Sequence, residues 1–132
     1  MATIVVGYDG SEPAKRALDR AAALADGGTV TVVSAVHPLV GKGAPGYDPV
    51  EKDQHTQHLA EAQETLSALG VACEVVEGYG DPARVIVEQA KETGADLIVV
   101  GTSHKNFLER LLEGSVADSV THHATTEVLV VP

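Results

Sequence analysis

The sequence predicts a doubly wound α/β fold: a single domain over residues 1–132 with a parallel sheet and helices on both faces. Short β-branched runs without polar alternation recur along the chain, as at Ile4-Val5-Val6 and Leu97-Ile98-Val99-Val100. Such runs belong to strands buried on both sides. Segments with apolar residues at helical spacing separate them, so the strands are joined by helical crossovers. Right-handed crossovers of this kind wind helices onto both faces of one sheet.

The first strand is Thr3 to Tyr8. Asp9-Gly10-Ser11 breaks it, and Ser11 caps a helix whose first turn holds Glu12 and Pro13. Ala14, Ala17, Leu18, Ala21 and Leu24 give that helix an apolar stripe, and Asp26-Gly27-Gly28 ends it. Thr29 to Val36 is a Val- and Thr-rich second strand. His37 to Pro49, with three Gly and three Pro, is a long loop and a candidate lid. A polar helix follows from Val50 to Leu69, its buried face marked by Leu59, Ala62, Leu66 and Leu69, and Gly70 stops it. Val71 to Glu77 alternates as a strand with one wetter face. Asp81-Pro82 opens a helix that runs to Thr93 and stops at Gly94. Asp96 to Gly101 is the fourth strand, Gly114-Ser115 opens a last helix to about Ala124, and Glu127 to Pro132 closes the chain as a strand.

Hydrophobic residues make up 44% of the chain and aromatics 3%, with no Trp, so the core is built from Val, Ala, Leu and Ile. Nineteen acids stand against nine bases, a formal charge of −10. That excludes nonspecific binding to nucleic acid or to an anionic membrane, which depends on neutralising phosphates. A small anion is still admissible, because backbone N–H groups bind phosphate locally. The one cysteine, Cys73, rules out an internal disulfide and fits a reducing compartment. With no basic segment leading into an apolar stretch and no apolar run of about 18 residues, the expectation is a cytoplasmic protein.

In an open α/β sheet, ligands sit beyond the carboxyl ends of the strands where the winding reverses. Gly7-Tyr8-Asp9-Gly10-Ser11 and Gly101-Thr102-Ser103-His104 fall at such ends. Gly101, with Gly114 and Ser115 at a helix start, could cradle an anion; equally, Gly101 could simply end a strand and Ser115 cap a helix. Other motifs fail. Gly41-Lys42-Gly43 lacks the hydroxyl residue of a P-loop, no G-x-G-x-x-G follows the first strand, and Lys105 replaces the second glycine of a nucleophile elbow around Ser103.

Taken in order, Val6 with Asp9-Gly10-Ser11, Asp96 to Gly101, Leu111-Leu112-x-Gly114-Ser115-Val116 and Val128 to Pro132 resemble the universal stress protein family over the whole chain. The resemblance implies a five-stranded parallel sheet of order 3-2-1-4-5 and a dimer through strand 127–132. It also implies an adenine nucleotide of the ATP or AMP class, with Mg²⁺ as a companion ion. It assigns Gly101, Gly114, Ser115 and the Val116 backbone to the phosphates, and Asp9 and Ala35 to the nucleoside. The function implied is that of a cytoplasmic stress-response protein acting as a sensor or as a module for a protein partner. One alternative is a nucleotide-independent dimeric interaction protein, and another a slow ATP hydrolase. Hydrolysis would need a positioned water and charge-neutralising groups; Asp9 is one carboxylate and no base is evident, so catalysis is not expected.

The nucleotide-binding branch carries G-x-x-G, nine residues, then G-[ST]. Gly101, the spacer Lys105 to Glu113, Gly114 and Ser115 fit, but His104 stands where the second glycine belongs. A glycine there admits close backbone approach and positive φ. The histidine reads either as a decayed ATP site or as a group lending its own N–H or charge to altered phosphate contacts, which would strengthen on acidification.

The remaining side chains have plainer readings. His55-x-x-His58 shares one helical face, a solvated one in preference to a two-ligand metal site. His37 starts a loop, and His122 and His123 point to different faces. Cys73 is a buried, unreactive thiol and Arg84 is surface-exposed. Lys42, Lys105 and Arg110 could offset phosphate charge. The apolar strand 127–132 at a sheet edge is an aggregation hazard that pairing across a two-fold axis would cover.

Replacing His104→Gly should tighten nucleotide binding. Calorimetric titration of ATP, AMP and cyclic AMP against both proteins tests this, and equal affinities would refute the steric argument.

Overall fold

The computed structural model describes residues 1–36, 49–102 and 126–132. Eight elements fall within them: β1 (Thr3–Gly7), α1 (Glu12–Ala25), β2 (Thr29–Val36), α2 (Pro49–Ala68), β3 (Ala72–Tyr79), α3 (Pro82–Thr93), β4 (Leu97–Gly101) and β5 (Glu127–Val131). The strands form one five-stranded sheet in the order β3-β2-β1-β4-β5, and every pairing is parallel. The predicted helix over 114–124 and the candidate lid over 37–48 lie outside the described residues, as do His37, Lys42, Lys105, Arg110, His122 and His123.

Strand alternation splits the core into two layers. Ile4 and Val6 of β1, Val30 and Val32 of β2, and Val99 of β4 meet the apolar stripes of α1 and α2. Val5, Val33, Ile98 and Val100 face the other way and meet Ala83, Ile86, Val87 and Ala90 of α3. Ile4, Val5 and Val6 have no exposed surface, so β1 is buried on both faces.

Helix α1 starts as the sequence predicts, with the Ser11 hydroxyl accepting from the Ala14 N–H at 3.3 Å. Its buried stripe ends in Ala25, while Leu24 is 41% exposed. Leu24 lies about 80° round the helix from Ala14 and so falls off the stripe. Leu69, expected in the core, is also exposed. Helix α2 ends in a Schellman motif: Gly70 N–H donates to Ser67 O at 3.0 Å, and Val71 N–H to Leu66 O at 2.9 Å. The chain reverses there, and Val71 takes the inward place. Helix α3 closes in the same way, through Gly94 and Ala95. Strand β3 runs two residues past the predicted Glu77, because β2 offers pairing partners for Gly78 and Tyr79 at Ala35 and Val36.

Gly101 ends β4 hard against the first turn of α1. A Cβ built there would stand 2.7 Å from Ala14 N and from the Pro13 carbonyl carbon. Backbone cannot yield as a flexible side chain can, so only glycine lets α1 seat on β4. Gly101→Ala is expected to cost about 1–3 kcal/mol of stability, read as a lower urea midpoint in chemical denaturation.

Candidate functional site

The chain leaves β1 through Tyr8, Asp9, Gly10 and Ser11. Asp9 is held by the turn it begins: its Oδ1 accepts from Ser11 N–H at 3.0 Å and from Ser11 Oγ at 2.5 Å. Since that hydroxyl also caps α1, the start of the helix and the direction of the carboxylate are set together.

Asp9 borders a cavity of about 200 Å³ over the ends of β1 and β2. Tyr8 and Asp9 come from the end of β1, Val33 and Ala35 from β2, His55 from α2, and Pro82 and Ile86 from the start of α3. Four aliphatic walls and a few polar groups make a binding site for a flat, largely apolar group with a polar edge. Its volume lies below the range of about 300–1,000 Å³ usual for drug-sized ligands, which suits one ring system with its nearest substituents.

The two predicted nucleoside residues, Asp9 and Ala35, thus line one cavity. Gly101 sits on β4, on the other side of β1 from β2, and its missing Cβ faces α1. His104, Gly114, Ser115 and Val116 lie outside the described residues.

The histidines of α2 correct the sequence reading. Their shared face is half-buried and turned toward the sheet. His55 Nδ1 and Ser34 Oγ are hydrogen-bonded, and Ser34 is buried in β2. The His58 ring lies over Gly10, where a Cβ would stand 2.7 Å from Nε2. Gly10 has φ +78°, a second reason for glycine at this turn. His58 meets the Tyr8 ring edge-on at 6.5 Å and the His55 ring at 6.4 Å, and its buried Nδ1 has no hydrogen-bond partner among the described residues. The i, i+3 spacing was visible in the sequence. The inward turn was marked as well: His55 and His58 stand four residues before Leu59 and Ala62, on the stripe that Leu59, Ala62 and Leu66 bury, and the solvated reading overlooked it.

A polar clasp fixes this end of α2 to β3. Thr56 Oγ1 donates to Glu77 Oε2 at 2.9 Å, Tyr79 O–H donates to Glu77 Oε1 at 2.9 Å, and Lys52 Nζ lies 5.8 Å from the Tyr79 ring centre. Bonding to Tyr79, with the charge of Glu77 behind it, pushes the Lys52 ammonium up. Burial pushes the Tyr8 hydroxyl up, and the carboxylates of Glu61, Asp9, Asp19 and Glu12 add to the shift.

Cys73 is half-buried, where full burial was expected. Burial and then Glu74 raise its pKa, which keeps the thiol protonated and poorly nucleophilic. Arg84 is exposed, with Glu88 at 3.9 Å. Among the described residues no three His, Cys, Asp or Glu side chains gather closely enough to hold a metal, and no helix is long and apolar enough to cross a membrane.

The model of the universal stress protein family matches residues 1–132. The chain belongs to this family. A universal stress protein of Synechocystis is 31% identical over 97% of this chain and 96% of its own. A universal stress protein solved in complex with cAMP is 30% identical, with TM-score 0.69, over 99% of this chain and 97% of that one. A universal stress protein from Archaeoglobus fulgidus in complex with dAMP is 28% identical, with TM-score 0.72, over 100% and 98%. The family's sheet order, expected from sequence motifs, is the order observed.

Proposed function

We propose that this universal stress protein binds an adenine nucleotide, with the nucleoside in the cavity over β1 and β2. The observation that carries the reading is the cavity itself, where Asp9 stands among the aliphatic walls of Val33, Ala35, Pro82 and Ile86. An adenine ring offers two apolar faces to such walls, and the ionised carboxylate accepts from an exocyclic amine or a ribose hydroxyl. Two structural relatives are complexes with cAMP and dAMP, which supports the same ligand class here. The phosphates are assigned to Gly101, His104, Gly114, Ser115 and the Val116 backbone. Mg²⁺ would accompany a triphosphate; Asp9 is the one carboxylate lining the described cavity. His104 in the glycine position weakens the grip on phosphate relative to the glycine-bearing branch.

The proposed setting is the cytoplasm, where the protein acts as a nucleotide-dependent sensor or as a module for a protein partner. The proposed assembly is a homodimer through residues 127–132. Strand β5 forms one edge of the sheet. Thr102 N–H donates to Val131 O at 2.9 Å, so Val131 turns its polar groups toward β4, and by alternation Val128 and Val130 turn theirs outward. Val130 is 39% exposed, and a second β5 would cover it.

Calorimetry with adenosine, AMP, cyclic AMP and ATP tests the nucleotide site. Asp9→Asn keeps an oxygen for Ser11 but removes the charge, and is expected to lower affinity about tenfold. Absence of binding to all four compounds, or unchanged affinity in the variant, would sink the reading. Val130→Pro removes an outward N–H at an edge where proline is tolerated. Light scattering should then give the monomer mass with the circular dichroism spectrum kept.

A further inference from the structure

Among the described residues, the cavity receives one side chain from α2, that of His55. We propose that His55 is a ligand-contacting residue that reads the nucleoside end of the ligand, with Ser34 as its positioning residue. This rests on the nucleotide reading of the cavity.

The imidazole is fixed before any ligand arrives. Ser34 Oγ holds Nδ1 from the sheet side, and the His58 ring lies edge-on at 6.4 Å. The next residue, Thr56, is tied to Glu77 of β3 at 2.9 Å. A ring held from the sheet, from its own helix and through its neighbour loses little freedom on binding, which favours affinity. Its chemistry complements most of the lining. Val33, Ala35, Pro82 and Ile86 offer no hydrogen-bonding side chains, an ionised Asp9 only accepts, and Tyr8, the other polar lining residue, packs its ring in the core edge-on to His58. An imidazole can donate, accept or lie flat on a base, as the edge and face of a purine require.

The position selects the nucleoside over the phosphates. His55 stands over β2 through Ser34, whereas Gly101 ends β4, and β1 lies between those two strands. Two strand spacings make about 9–10 Å, so a ring beside β2 is remote from phosphate held at β4.

The test measures adenosine and AMP affinities in wild type, His55→Ala, His55→Gln, Ser34→Ala and the double alanine variant. His55→Ala should weaken adenosine and AMP by the same factor, about five- to tenfold, with His55→Gln recovering part of the loss. Ser34→Ala should weaken both ligands less, and the double variant should be no worse than His55→Ala alone. Unchanged affinity in a folded His55→Ala would overturn the proposal, as would a loss confined to AMP. A readout that needs no stable alanine variant is the imidazole NMR signal of His55 in wild type, assigned by its absence in His55→Gln. Adenosine should shift it, and binding without a shift would also overturn the proposal. Failure of wild type to bind adenosine and AMP at all would instead remove the nucleotide site itself, and this inference with it.

Discussion

Everything in this molecule follows from the burial of β1. Ile4, Val5 and Val6 are successive residues with no exposed surface, so each face of the strand needs its own cover. Helices α1 and α2 supply one layer and α3 the other. A parallel strand buried in this way cannot return through a hairpin, and its polar end must emerge where helices on opposite faces part. The opening at the carboxyl ends of the strands is therefore a consequence of the core.

The same geometry explains why the site is built from turns and from small residues. Ser11 caps α1 and braces Asp9 together, so the turn that starts a structural helix also aims a carboxylate. Gly101 allows α1 to seat on β4, so its place at a strand end is already accounted for by packing. Gly101 is demanded by backbone contact with Pro13 and Ala14, whatever else is asked of it at the strand end.

Much of this was legible in the sequence, because it is written in local rules. The Ser11 cap, the Pro82 start and the Gly70 and Gly94 stops are short-range chemistry, and the apolar strand runs announce burial on both faces. What escaped depends on orientation. Leu24 and Leu69 are apolar and fall at helical spacing, yet one lies off the stripe and the other at the reversal of a Schellman turn. His55 and His58 are polar and looked solvated. They turn inward because Ser34 and Gly10, far away in sequence, leave them a polar partner and a flat surface. Their place on the stripe of Leu59 and Ala62 was the local signal, and their polarity masked it.

The net charge of −10 takes on a more specific meaning at the site. Around Tyr8 the carboxylates of Glu61, Asp9, Asp19 and Glu12 all act to keep the phenol protonated. Burial is the larger cause of that shift, and the four carboxylates add negative charge near the end of β1. A phosphate placed there would meet the same repulsion, and screening helps little once water is displaced. A purine amine or a ribose hydroxyl would be drawn to the same charge. On the proposed reading, electrostatics would divide a nucleotide as the geometry does: the uncharged nucleoside over β1 and β2, and the phosphates away from these carboxylates, where backbone N–H groups rather than side-chain charge would have to hold them.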